Sequence, residues 1–262
     1  MDKMRAAITG YRGFIGRRLL SFFELSMGID EGHTKDELYS QLDYFKPDVV
    51  FHIGACSNTL ITDVNYIMQT NYISTKWIAD WCYDNKVKLI YASSASVYGI
   101  DGTKPTNLYG WSKLIGEDYV INKGGIALRY FNVYGPGEEH KGNMASMIYQ
   151  NIKKKIVKLF PNKPKRDFVY IDDVTNANVY ALVNYNKLKG KWYEVGSGES
   201  SLFETIFDEI GIEYEYLNET DIPMGYQFQT LSLKENWMPG WKPKINLKAG
   251  IKRYKKYLNE KS

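Results

Sequence analysis

The segment Gly10-Tyr11-Arg12-Gly13-Phe14-Ile15-Gly16 constrains this chain more than any other. A short apolar run over residues 4–9 leads into it, and apolar side chains recur at helical spacing from residue 14 to 25. Glycine is required where backbone must come close to a pyrophosphate and where the next helix packs tightly on the strand. The free amides of the first helical turn then favour anionic phosphate. Strand, glycine turn and helix in this order predict the first βαβ unit of a dinucleotide-binding sheet, with Gly10, Gly13, Phe14, Ile15 and Gly16 at the cofactor. Arg12, in the same turn, is expected to pair with a 2′-phosphate on the adenosine ribose, which favours NADP, with NAD as the alternative. Arg17 and Arg18 read equally well as solvent-facing.

The rest of the chain continues the alternation. Helical spacing returns over residues 35–44, 63–84 and 109–122, and buried-strand runs lie at 48–55, 87–93 and 126–131. The expected fold class is therefore α/β, a doubly wound, Rossmann-like parallel sheet. Beyond Asn132 the pattern loosens into a lysine-rich helix (143–155), strands near 167–171 and 192–195, and helices over 173–184, 202–210 and from 247 onward. We expect residues 1–135 to form the dinucleotide-binding domain with 165–196 returning to it, and 136–164 with 197–262 to form a small C-terminal substrate lobe.

Bulk properties narrow the partners. The 262 residues carry a net charge of +4, which suits anionic small molecules but lacks the dense basic stripes of a nucleic-acid binder. Lysines at 153–155 and 158, and the KRYKK run at 252–256, read as solvated helix faces. No run of about 18 apolar residues predicts a membrane span. Cys56 and Cys82 lack metal-ligand spacing and His33 has no partner at such spacing, so no metal is expected and a reduced, cytoplasmic setting is. His52, inside an apolar strand, reads as a satisfied core histidine.

A second constellation carries chemistry. Ser94 closes the strand 87–93, and Tyr109-Gly-Trp-Ser-Lys113 opens a helix, placing Tyr109 and Lys113 on one helical face. The lysine cation is expected to favour the phenolate and lower the tyrosine pKa, while the serine hydroxyl bonds the reacting oxygen. Lys141 follows a Gly-Pro turn in a loop where a buried strand has ended, the place where ligands of α/β sheets bind.

With these residues assembled, the chain resembles the extended short-chain dehydrogenase/reductases of the sugar-nucleotide epimerase group. More narrowly it is similar to the ADP-L-glycero-D-manno-heptose 6-epimerases. The stretches that carry the likeness are FHIGACSNT (51–59), NYISTKW (71–77), YASSASVYG (91–99), LYGWSKLIGEDYV (108–120), RYFNVYGPGEEHKGNMAS (129–146) and KRDFVYIDDV (165–174). The resemblance implies an NAD(P)-dependent epimerisation of a nucleotide-diphosphate sugar by transient oxidation and hydride return. Tyr109 would be one acid/base, Lys113 its partner and a ribose ligand, Ser94 a hydrogen-bond donor, and Lys141 the second acid/base. Ala55, Cys56, Ser57 and Val133 would line the cofactor. Asn132, Asn143, Gln150, Phe160, Arg166 and Tyr226 would meet the substrate, with Asn143 and Gln150 standing where the family has a serine and a histidine. A homo-oligomer is implied, with the helix 63–84 and its Trp77 and Trp81 on one face.

The sequence departs from that family between Gly16 and Asp48, where no β-type apolar run follows the first helix. We expect the second strand and its ribose-selecting loop to be lost, leaving Ser26–Asp30 as a remnant and the adenosine half of the site abbreviated. The stretch from Tyr98 to Tyr109 and the loop at Lys163-Pro164 are also short. Alternative readings are a sugar-nucleotide 4-epimerase, a reductase, or a catalytically silent dinucleotide-binding protein. Ala95 and Ser96 stand where a 4,6-dehydratase needs an acidic pair, and Ala95 where GDP-fucose-synthase-like reductases have cysteine.

Overall fold

The computed structural model describes residues 4–30, 32–221 and 227–261, without the side chains of Asn143 and Asp221. Chain order is β1 (Arg5–Thr9), α1 (Phe14–Leu20), β2 (Leu25–Ile29), α2 (Lys35–Phe45), β3 (Val49–His52), α3 (Val64–Ile67) and α4 (Ser74–Asp84). Then come β4 (Lys88–Ser94), α5 (Leu108–Asn122), β5 (Ile126–Tyr130), β6 (Asn132–Tyr134), α6 (Met147–Asn151), β7 (Ile156–Leu159) and β8 (Lys165–Tyr170). The chain closes with α7 (Ile171–Val183), α8 (Tyr185–Leu188), β9 (Lys191–Val195), β10 (Ser200–Leu202), α9 (Phe203–Ile210), β11 (Glu213–Tyr216) and α10 (Leu247–Glu260).

The main sheet is all parallel, in the order β2-β1-β3-β4-β5-β9. Its central strands are buried on both faces, as their uninterrupted apolar runs require. Leu19 of α1 and Val174, Ala177 and Ala181 of α7 pack on one face. Leu38 and Leu42 of α2, Ile78 and Trp81 of α4, and Val120 of α5 cover the other. Of the stretch 165–196, α7 and β9 return to this sheet, whereas β8 pairs with β6 and β10 in a separate three-stranded sheet. A further core gathers Phe14, Phe168, Phe207, Ile251 and Tyr254 among β8, α9 and α10.

Four expectations are corrected. The second strand is present: β2 runs parallel to β1 in register from Arg5↔Leu25 to Thr9↔Ile29. The first helix ends at Leu20 rather than at residue 25, and the chain turns there with the Ser21 amide on the Arg17 carbonyl. What the sheet lacks, among the described residues, is the strand that would flank β2 on its outer side in the usual doubly wound order, so β2 is an edge. The lysine-rich helix over 143–155 is instead a 3₁₀ segment (Glu139–Met144) kinked at Gly142, the five-residue α6, and a turn into β7. The lysines at 153–155 are exposed on that turn and Lys158 on β7, where Val157 and Leu159 alternate inward while β7 pairs with β11. Finally, Trp81 does not present an outer face: it is buried and its indole donates to Asp43 Oδ1 at 2.8 Å.

Candidate active site

The main sheet reverses its winding between β1 and β3, since β1 connects to β2 on one side and β3 lies on the other. In doubly wound sheets the crevice at the carboxyl ends of such strands holds the ligand. A cleft of about 690 Å³ opens there, lined by the glycine turn, the loop after β3, the end of β4, Tyr109 and Lys113, and the loop carrying Lys141.

The glycine turn is shaped for close approach. Gly10 has φ +63°, and a Cβ there would stand 2.6 Å from Gly54 Cα. A Cβ at Gly16 would stand 2.2 Å from the Gly10 carbonyl, so only glycine lets α1 sit so close to β1. The Gly13 amide donates to the Gly10 carbonyl at 2.9 Å, and the first turn of α1 follows against the cleft. Arg12 lies outside the lining; its Nε stands 3.1 Å from Asp30 Oδ2, at the end of β2.

Tyr109 occupies the first turn of α5, which Asn107 caps by accepting the Gly110 amide at 2.8 Å. Its phenol hydrogen-bonds Ser94, and Ser94 Oγ also accepts the Ser96 amide at 3.1 Å. Lys113, one turn on, is 3% exposed; its ammonium donates to the Ala92 carbonyl at 2.8 Å and lies 4.8 Å from the Tyr91 ring centroid. Burial pushes the Lys113 ammonium down to about 7, opposed in part by the Cys56 thiol. Burial also raises the Tyr109 pKa, against the hydrogen bond from Ser94. The expected lowering of Tyr109 by the lysine is thus corrected: burial raises the phenol, only Ser94 pulls it down, and the lysine is turned onto a strand carbonyl.

Lys141 lines the same cleft, its ammonium 5.5 Å from the Phe14 ring centroid, and burial lowers its pKa as well, with Glu138 pulling the other way. Ala55, Cys56, Ser57, Asn132, Val133 and Arg166 also line it. Asn132 is steadied by Thr230, whose hydroxyl donates to its Oδ1 at 3.0 Å, and the Arg166 guanidinium lies 5.6 Å from the Phe203 ring centroid. Gln150 and Phe160 do not line the cleft; the Gln150 amide turns back to the Ala145 carbonyl at 2.8 Å. Asn143 lies in the 3₁₀ segment before α6 but its side chain is outside the described atoms, and Tyr226 is outside the described residues. Its neighbour Gln227 donates to the Gly99 carbonyl.

Three supporting groups escaped the sequence reading. Asn71 sits in a π-helical segment, Met68–Ile73, joining α3 to α4, a distortion frequent at functional sites. Its side chain ties Cys56 to α5 by donating to Ser112 Oγ at 2.9 Å. It heads a buried chain: Thr75 Oγ1 bonds the Asn71 carbonyl at 2.5 Å, His52 lies between Thr75 (2.8 Å) and Thr9 (2.7 Å), and Thr9 Oγ1 accepts the Gly54 amide at 2.9 Å. Glu117, fully buried one turn past Lys113, accepts from Ser93 at 2.6 Å and is paired with Arg129. Its available signal was spacing, since Tyr109, Lys113 and Glu117 fall at i, i+4 and i+8 of one helix. Glu138 anchors the Lys141 loop.

The cleft fits a dinucleotide on its own geometry. Backbone without Cβ faces it at the end of β1, and a buried lysine stands beside the serine–tyrosine pair at the end of β4. Comparison with known proteins agrees. The profile of the NAD dependent epimerase/dehydratase family matches residues 6–196. The ADP-L-glycero-D-manno-heptose-6-epimerase of Brachyspira hyodysenteriae is 34% identical, with 97% of each chain covered. That of Cupriavidus pinatubonensis is 32% identical over 78% of this chain and 76% of its own. The crystal structure of the Helicobacter pylori ADP-L-glycero-D-manno-heptose-6-epimerase superposes with a TM-score of 0.86 at 27% identity, covering 98% of this chain and 97% of that one. A UDP-glucose 4-epimerase of Thermus thermophilus, solved with NAD, shares the fold at 22% identity, with a TM-score of 0.82 over 98% of this chain and 99% of its own. The chain belongs to the NAD dependent epimerase/dehydratase family.

Proposed function

We propose that this protein epimerises a nucleotide-activated sugar, and that the sugar is an ADP-activated glycero-manno-heptose inverted at its side-chain carbinol. One observation carries the reading: a tyrosine–lysine–serine set and a second, separate lysine, Lys141, line one cleft beside the glycine turn. Inversion at a carbinol needs a proton removed from its oxygen and a proton returned after the carbonyl has turned over. A dinucleotide, when bound, supplies reversible acceptance of the carbon-bound hydrogen, so the sugar is neither oxidised nor reduced overall.

The side chains divide the proton work. Ser94 holds the Tyr109 phenol by a hydrogen bond and orients it toward the reacting oxygen. Lys113, brought down to about 7 by burial, is poised to gain or lose a proton near neutrality behind that phenol. Lys141, also lowered by burial, handles the proton when the carbonyl presents its other face. Arg166, which also lines the cleft, suits the substrate's diphosphate, with Phe168 and Phe203 as apolar neighbours.

Asp30 bears on the choice of cofactor. A carboxylate at the end of the second strand, about 20 residues beyond the first glycine, accepts from a ribose 2′-hydroxyl and repels a 2′-phosphate. Arg12, the reason for expecting NADP, has its charge met by that carboxylate. The pair supports NAD.

The test is proton NMR of ADP-D-glycero- and ADP-L-glycero-D-manno-heptose incubated with enzyme and trace NAD. The two epimers should approach one equilibrium mixture from either side, without growth of the reduced nicotinamide band. No interconversion of these or of a panel of other nucleotide sugars would overturn the reading.

A further inference from the structure

The loop that carries Lys141 is closed on itself by one buried carboxylate. Glu138 is fully buried. Its Oε1 accepts the Gly135 amide at 3.2 Å and the Ser146 hydroxyl at 2.8 Å, and its Oε2 accepts the Ser146 amide at 2.5 Å. Its own carbonyl accepts the Lys141 amide at 2.9 Å. Ser146 in turn caps α6, with its Oγ accepting the Tyr149 amide at 3.2 Å. One residue thus joins the entry of the loop to its exit through its side chain, and holds the backbone of Lys141 through its own carbonyl.

Burial raises the pKa of the Glu138 carboxyl, and the donors from Ser146 and Gly135, with Lys141, oppose that rise. Both carboxylate oxygens receive backbone N–H groups, so the hydrogen bonds are those of an anion. Among the described residues the titratable groups around it are Tyr254 of α10, whose hydroxyl is raised by burial and then by Glu138, Tyr149 of α6 stacked on Tyr254, the neighbouring Glu139, and Lys141. Among these Lys141 is the cation. Lys261 at the end of α10 stands 3.9 Å from Glu139 and belongs to that residue instead.

We propose that Glu138 is a positioning residue for Lys141: an ionised, buried carboxylate that fixes the loop and holds the Lys141 ammonium in its protonated form at the cleft. The inference rests on the reading of Lys141 as a proton-handling group. It adds that the loop and the lysine's charge are governed by a residue that touches no substrate.

The test separates charge from shape and does not depend on turnover. Lysines are reductively methylated with ¹³C-formaldehyde, the Lys141 signal is assigned by its loss in Lys141→Ala, and its titration midpoint is read by NMR. Glu138→Gln keeps the size and removes the charge, so the midpoint should fall by about one pH unit. Glu138→Asp keeps the charge at shorter reach, so the midpoint should stay near the parent's. With activity as a second readout, Glu138→Gln should slow epimerisation at least about tenfold in the parent and have little further effect in Lys141→Ala, as coupled residues do. An unchanged midpoint in Glu138→Gln, or equal midpoints in the Gln and Asp variants, overturns the proposal. If Lys141→Ala turns over normally while the midpoint moves, the catalytic reading of Lys141 fails and the control by Glu138 stands.

Discussion

Asn71 holds Cys56 by both of its backbone groups: the Cys56 amide donates to Asn71 Oδ1 at 2.8 Å, and Asn71 Nδ2 donates to the Cys56 carbonyl at 3.0 Å. A single amide side chain thereby replaces a sheet partner for the loop that leaves β3 and lines the cleft. The same Nδ2 reaches Ser112 on the helix of Tyr109. The loop and the proton-handling helix are consequently fixed to one residue.

Asn71→Ala should destabilise the protein by about 1 kcal/mol, because it leaves half-buried backbone groups of Cys56 without their partner. Urea denaturation measures it. Cofactor retention through gel filtration should fall in parallel, and a variant as stable as the parent would show that water replaces the amide at no cost.

Tyr109→Phe keeps the ring and removes the hydroxyl bonded to Ser94. Turnover should drop by roughly two or more powers of ten, the usual scale of general acid–base catalysis, with cofactor binding retained. NMR-monitored epimerisation is the check, and an undiminished rate would remove the phenol from the mechanism.

Lys113 makes stability pH-dependent. In the unfolded chain its ammonium persists to about 10.5, but in the folded protein only to about 7. Between those values the unfolded state binds a proton that the folded state does not, so stability rises as pH increases through that window. Below about 7 both states are protonated and this slope vanishes. Lys113→Met should flatten the rise, as read from urea midpoints across the same pH series without cofactor.

Asp30→Ala frees Arg12 and removes the carboxylate at the end of β2. The ratio of NADP to NAD affinity should rise about tenfold, the worth of one charge-assisted hydrogen bond. Arg12→Ala in that background should cancel the gain. Isothermal titration with each dinucleotide reads both, and a ratio that does not move would place the ribose elsewhere.

Legibility in the sequence followed the burial of each element. The glycine turn, the strands of the sheet centre and the Tyr109 helix are all visible, because apolar runs and helical spacing report elements that bury a continuous face. β2 was missed for the opposite reason: its sequence, LSMGI, buries only Ile29, and an edge strand one face deep has no apolar run to display. Helical spacing also carried α1 too far, since Phe23 belongs to the core although it lies beyond the helix. β7 gives no signal of its own because it is four residues long and its partner, β11, is remote in sequence. Of the cleft, the residues with known chemistry were legible. Asn71, Glu117 and Glu138 were not, because a buried polar side chain looks like a surface one until its partners are known.

The polar chain beneath the cleft has a direction. Thr75 gives its only proton to the Asn71 carbonyl, so in its contact with His52 the Nε2 must carry the imidazole hydrogen. That leaves Nδ1 to accept the proton of Thr9, whose Oγ1 receives the Gly54 amide. Burial, and the charge of Lys113 after it, push this ring down to about 3. Every link from the first strand to the π-helical turn therefore donates the same way, and the fold selects one tautomer of a neutral imidazole. A second proton on that ring would set two donors nose to nose and break the sequence at its midpoint.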